Sequence, residues 1–398
     1  MPSNLCLVAL NPTDSVTDGF LPAAARLGLR VTLLTDQPDA HRHAYRAHPA
    51  PPAEIVGCDV RDFRAVVDEL DRRAAMDAVF SNSDHLQTQT ALIAAYFGLP
   101  AKDWRAALRA KNKAHMRRHL AQHRVDTVIS HELRPGAALP DGPFPGVVKP
   151  REGVASEDVV LVADRHELEL ACRDVWRRKP ELPLVLEEFL DGELRSLETL
   201  GDGHNPRVLG GFRTTLSAPP YFVERAMVHD PLPPAQHVRA VLAHLAALGV
   251  GFGACHTEYV VSDDRVRLIE VNYRIIGDQC DLLLADLTGL PLHEYVLRVH
   301  LGEPLPAVLP NNGGRRARID WPCADRGGSL VAAPPAIDEH VDGVSLAYRP
   351  LRAIGDERPL TNTNRDYLGV LRTIGPDQTT VDKFAADFLA AQRWDIRP

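Results

Sequence analysis

Apolar positions in the first hundred residues follow two alternating periods. Short β-forming runs, LCLVAL from Leu5, VTLLT from Val31 and AVFS from Ala78, are separated by stretches with helical spacing near residues 19–27, 62–73 and 87–97. Strands alternating with helices predict an open parallel α/β domain. Residues 102–124 are basic and helical in character. A strand-rich region then runs to about 305, with an apolar run ending at Lys149, VVLV from Val159, LPLVLEE from Leu182, and two runs carrying Glu258 and Glu270. The Pro- and Gly-rich segment 135–145 and the string PLPAVLPNNGG from Pro304 read as connections. The remaining chain mixes short strands with a terminal helix near 380–392.

A chain of 398 residues exceeds what one hydrophobic core usually supports. The pattern divides it into an N-terminal α/β domain (1–108), a central α+β region (109–310) and a small mixed C-terminal domain (311–398). With 45% hydrophobic and 25% charged residues it reads as an ordinary soluble protein, and a net charge of -8 argues against a nucleic-acid partner. Cys6, Cys58, Cys172, Cys255, Cys280 and Cys323 form no CxxC pair, which fits free thiols in a reduced cytoplasmic compartment. The N-terminus lacks a basic leader region, and no apolar stretch approaches the ~20 residues of a membrane span. No GxGxxG follows the first strand, so a dinucleotide-binding dehydrogenase has little support.

His115, His119 and His123 recur at four-residue steps without a carboxylate at catalytic spacing, and read as a solvated helix face; HRHAYRAH at 41–48 reads as a surface loop. Lys149 leaves a strand beside the loop 150–158, where an ammonium group and backbone N–H groups can meet phosphate oxygens. That loop has a single glycine, Gly153, and its Val154 and Ala155 lack glycine's backbone freedom. The strand ending in Glu187, Glu188, Phe189 and Leu190 frees backbone groups that match the edge of adenine, and Glu193, past the turn at Asp191 and Gly192, can take ribose hydroxyls. Taken singly, an edge lysine and a strand end with solvated acids account for the same residues.

Glu258 and Glu270 can be tested by counting. If residue 264 is the centre of the turn, Glu258 faces Glu270, and Asn272 follows on the same side. A two-residue turn at Asp263 and Asp264 would instead put Ile269 opposite Glu258 and send the carboxylates to opposite faces. Facing carboxylates call for a cation, and hard oxygen donors with room for water and phosphate suit Mg2+. The competing reading leaves one acid in solvent and the other neutralised by Arg265 or Arg267.

In this order and at these separations the pieces resemble the ATP-grasp superfamily over about residues 110–305. The resemblance implies ATP held between two α+β subdomains, with Mg2+ bridging its phosphates, and makes the odd-length turn the expected one. It assigns Lys113 and Lys149 to the phosphates and the loop 152–156, with Gly153, Val154 and Ser156, to a mobile phosphate cover. Glu187, Glu188, Phe189 and Leu190 fall on the adenine hinge, Glu193 on the ribose contact, and Glu258, Glu270 and Asn272 on the metal ligands. Where the family often reads NPRxGG this chain reads NYRIIGD, keeping Arg274 and Gly277. The fixed fork of Arg274 then serves the substrate carboxylate or the transferring phosphoryl group. Residues 1–108 resemble the domain that precedes ATP-grasp modules, and 315–398 the small C-terminal domain of the biotin-carboxylase-like branch.

PPYFVERAMVHDPLPP at 219–234 is similar to a stretch of amino-acid ligases in which Glu224 matches an acid contacting substrate or metal. The family histidine falls at Met227, with His229 nearest, so substrate choice does not carry over. The resemblance implies an ADP-forming carboxylate–amine ligase with small-molecule substrates, making an amide or peptide bond through an acyl phosphate in dipeptide, antibiotic or siderophore biosynthesis. A bicarbonate-using carboxylase-type ligase and a non-catalytic ATP-binding sensor or scaffold are the alternatives.

Overall fold

The structure is a computed structural model describing residues 3–125, 128–204, 206–262, 265–309 and 313–398. β1 (Asn4–Val8), β2 (Arg30–Thr35), β3 (Glu54–Gly57) and β4 (Ala78–Phe80) form a parallel sheet in the order β3-β2-β1-β4. Its central strands are buried on both faces, as their unbroken apolar runs require. The segment HRHAYRAH departs from the expected surface loop. It enters a helix, Pro38–Ala44, that starts with proline in the first turn, where a missing N–H is no loss. His41 in that helix is fully buried, with Nε2 3.1 Å from the Leu10 carbonyl oxygen. One hydrogen bond makes burial of a polar ring tolerable, and charge pattern alone does not reveal it.

β5 (Ser130–Leu133), β6 (Gly146–Pro150), β7 (Val160–Val162) and β8 (Leu184–Glu188) form an antiparallel sheet ordered β5-β8-β6-β7. The helix Arg165–Arg178 packs on it through Leu168, Cys172 and Val175. The following strands are β9 (Glu193–Asp202), β10 (Arg207–Leu216), β11 (Glu224–Asp230), β12 (Phe252–Ser262), β13 (Arg265–Asn272), β14 (Arg316–Asp320), β15 (Gly328–Ala332), β16 (Ile337–Val341), β17 (Val344–Pro350), β18 (Glu357–Arg358), β19 (Gly369–Gly375) and β20 (Asp395–Arg397). A nine-stranded sheet runs β13-β12-β9-β10-β11-β14-β19-β17-β16, and β18-β15-β20 make a small separate sheet. The N-terminal sheet joins the large one through a shared core in which Leu5, Leu7 and Phe20 meet Leu200, Ala254 and Leu297. Helices Trp104–Lys111, Lys113–Gln122 and Ala235–Leu248 pack with Leu197, Tyr259, Leu268 and Val271, fixing the back of β12 and β13. This is the mixture of α/β and α+β layers expected from the sequence. Among the described residues no helix is long and apolar enough to cross a membrane.

Candidate active site

A cavity of about 500 Å3 lies between the small antiparallel sheet and the β12–β13 end of the large one. Glu258 pairs with Glu270, and His256 with Asn272, across β12 and β13. The route to that register differs from the odd-length turn expected. Asp263 and Asp264 lie outside the described residues, but Ser262 pairs with Arg265, and Tyr259 with Leu268. This is the register of a two-residue connection. A bulge beside Tyr259 then skips Ile269, so the even count near the turn becomes an odd one at Glu258. Both acids and Asn272 line the cavity.

Each acid meets a basic side chain, one from a helix and one from β12 itself. Lys113, the first residue of its helix, donates from Nζ to Glu270 Oε1 at 2.7 Å. His256 Nε2 lies 3.2 Å from Glu258 Oε1. Burial would raise the Glu258 carboxyl, but the hydrogen bond and charge of His256 hold it below its ordinary value. Burial would likewise lower the His256 imidazole, yet Glu198 and Glu258 push it up to about 10. Arg267, a proposed partner of these acids, instead approaches Glu188 at 3.6 Å. Arg274 faces the cavity with Nη1 donating to the Ile275 carbonyl at 2.8 Å, and forms no ion pair among the described residues.

At the other wall, Glu187 is only 2% exposed and its carboxylate is shared by Lys149 at 2.8 Å and by Arg117, whose Nε and Nη2 both donate at 2.8 Å. Burial opposes ionisation there, but the two cations hold the Glu187 carboxyl well below the usual range. Burial in turn keeps the Lys149 ammonium below its ordinary value despite Glu187. The hinge backbone is largely committed: the Glu188 N–H donates to the Ile129 carbonyl and the Phe189 N–H to the Pro145 carbonyl, each at 3.0 Å. Among the described residues the Leu190 N–H has no such partner, and Leu190 lines the cavity. Gly192 seats this turn against β12, since a Cβ there would stand 2.3 Å from the Val261 carbonyl oxygen. Glu193 stands outside the lining. Strand alternation turns Leu194 inward, while Arg195 holds the Glu193 carboxylate at 2.8 Å.

The loop bearing Gly153, Val154 and Ser156 covers the cavity. Ala155, Ser156 and Asp158 adopt left-handed backbone conformations at φ 57°, 54° and 59°, so the loop turns without glycine. Such residues cost about 1–2 kcal/mol each unless their surroundings hold them. Here Lys179 and Arg178 bind Asp158 at 2.8 and 2.7 Å, Lys111 reaches the Gly153 carbonyl at 3.1 Å, and the Asn364 N–H donates to the Ala155 carbonyl at 3.1 Å. Asn364 also clamps Glu224: its amide donates to Oε2 at 3.0 Å while its Oδ1 accepts from the Glu224 N–H at 3.2 Å. Burial, with Glu258 and Asp278 nearby, pushes the Glu224 carboxyl up to about 8. Gly277, Asp278 and Met227 complete this end of the cavity; His229 does not line it and packs edge-on against Phe212. The histidine stripe lies elsewhere: His115 and His119 line an outer groove, where His119 Nε2 is 2.8 Å from the Ala247 carbonyl oxygen.

The sequence profile of the ATP-grasp domain family matches residues 110–278, the segment that carries this geometry from Lys113 to Gly277. Residues 110–278 are an ATP-grasp domain. Across the whole chain, an L-amino acid ligase from Bacillus licheniformis superposes with a TM-score of 0.81 at 23% identity, covering 100% of this chain and 99% of that one. The biotin carboxylase domain of a 2-oxoglutarate carboxylase from Hydrogenobacter thermophilus, solved with MgADP and bicarbonate, gives a TM-score of 0.72 at 15% identity over 98% of this chain and 90% of that one. An uncharacterized protein of Sinorhizobium fredii is 26% identical over 420 residues, covering 98% of this chain and 83% of its own.

Several residues that shape the ATP-grasp cavity were not singled out from sequence. His256 carried a readable signal, since a His-x-Glu pair on a strand shares one face. Arg117 and Asn364 carried none, because each acts on an acid far away in the chain, Glu187 and Glu224.

Proposed function

We propose that this protein is an ADP-forming carboxylate–amine ligase. The observation that carries the reading is one cavity with the buried Lys149 at one wall, the opposed acids Glu258 and Glu270 with Arg274 at the other, and Lys113 reaching Glu270. The donors fit a magnesium ion: two hard carboxylates and the Asn272 amide share a face. Among the described residues no three His, Cys, Asp or Glu side chains form a metal cluster of their own. That suits a cation whose remaining ligands are phosphate and water. Magnesium bound here would neutralise phosphate charge during transfer.

The remaining work falls to the chain. The Leu190 N–H serves the adenine edge, Lys113 and Lys149 the phosphates, and the 151–158 loop excludes water from a hydrolysable acyl phosphate. Arg274 holds the substrate carboxylate against the γ-phosphate and stabilises the charge that develops on transfer. Glu224 and Asp278 face the space left for the amine, and a cationic group bound there would favour their ionised forms. A screen of paired carboxylic and amino acids for phosphate release, with mass spectrometry of the hits, tests the proposal. It expects ADP, phosphate and an amide. AMP with pyrophosphate would refute it, and bicarbonate-dependent ADP release without an amine would replace it with a carboxylating activity.

A further inference from the structure

His256, which lines the cavity beside Glu258, and Glu198, which stands outside the lining, are not used by the reaction scheme. His256 follows strand alternation onto the same face as Glu258, two residues on. Its Nε2 lies 3.2 Å from Glu258 Oε1 and its Nδ1 2.7 Å from Glu198 Oε1. Glu198 pairs directly with His256 across β9 and β12, and Ser196, paired with Glu258, donates from Oγ to the same Glu198 oxygen at 2.7 Å. Glu198 and His256 are 3% and 4% exposed. A buried carboxylate costs several kcal/mol unless its oxygens are engaged, so this chain of contacts has a defined geometry. The alternative, that the ring merely compensates Glu198, leaves unexplained why its second nitrogen is aimed at Glu258.

We propose that His256 is a positioning residue that occupies one oxygen of Glu258 so that the other points at the metal, and that Glu198 locks the ring in that orientation. The inference rests on the ligase reading only in taking Glu258 as a metal ligand. Groups behind a ligand that fix its orientation change metal affinity by about 10–100-fold when removed.

The test needs no substrate: Mn2+ is the probe, titrated in the presence of ADP and followed by electron paramagnetic resonance. His256→Gln should weaken Mn2+ binding by about 10–100-fold. Glu198→Gln, which keeps the shape of the side chain, should weaken it in the same direction. The double variant should be no weaker than His256→Gln alone, because Glu198 acts through the ring. A purely structural role would lower thermal stability and leave Mn2+ affinity unchanged in the folded fraction. Wild-type affinity in either single variant, while Glu258→Gln loses the site, would overturn the inference and leave the metal assignment standing. Wild-type affinity in Glu258→Gln would overturn the metal assignment itself. If His256→Gln does not fold, the Glu198→Gln affinity decides.

Discussion

Glu258 and Glu270 stand directly opposite each other, although the strands that carry them are joined in the register of a two-residue turn. The skipped residue, Ile269, converts one count into the other and itself lines the cavity. A bulge re-aims the side chains beyond it, and here it brings two acids and Asn272 to a single face. Without it the acids would lie on opposite sides of the sheet.

Arg274 faces the cavity without an ion pair among the described residues, and its role should appear in turnover rather than in nucleotide binding. Arg274→Ala should leave the Kd for Mg-ATP within about threefold while product formation falls by about 10²–10³, the range for losing one charge-stabilising donor. Isothermal titration and single-turnover assays separate the two effects, and unchanged turnover would remove Arg274 from the mechanism.

Glu187 is clasped by Arg117 and Lys149, so Glu187→Gln leaves two buried cations short of a counter-charge. The variant should lose about 3–5 kcal/mol of stability at pH 7. Because the folded carboxyl is held below its ordinary value, its contribution is complete above the unfolded pKa of about 4.3 and disappears as the pH falls through the lower folded value. Urea unfolding at pH 7 and pH 3 should therefore show the gap between wild type and variant narrowing in acid; a constant gap would contradict the assignment.

Glu224 behaves in the opposite sense. Its folded carboxyl is pushed up to about 8. The stability it contributes is full below the unfolded pKa of about 4.3 and is lost as the pH rises through 8. In metal-free buffer, Glu224→Gln should gain in melting temperature relative to wild type between pH 5 and pH 9. A difference that does not change with pH would mean that Glu224 ionises normally.

Ala155 holds a left-handed conformation at φ 57° that glycine adopts without a steric penalty. Ala155→Gly should raise stability in chemical denaturation by about 1 kcal/mol. A loss of similar size would mean that the loop is relaxed as it stands.

The parts of the site that were legible are those that follow from strand periodicity and order along the chain. Lys149 at a strand end, the EEFL strand end and the Glu270-x-Asn272 pair each signal through positions two or three apart. The bulge at Ile269 was not legible, because an apolar residue in an apolar run gives no local sign of being skipped. Glu193 shows the limit of an argument from proximity: one residue after a turn, alternation decides which way it faces, and Leu194 took the inward position. The buried pairs were hidden for another reason. Glu198 meets His256 over 58 residues because β9 pairs with β12, and Glu224 meets Asn364 over 140; neither contact follows from a local pattern. His41 was misplaced because a run of histidine and arginine looks solvated, whereas one ring with one carbonyl partner is enough to bury it.

Isotope transfer tests the acyl-phosphate account most directly. With an acid substrate labelled with 18O in its carboxylate, attack on the γ-phosphate carries one labelled oxygen into the phosphate released for each amide formed. Mass spectrometry or 31P NMR of that phosphate should show one 18O per product; label in AMP, or unlabelled phosphate accompanying product, would contradict it.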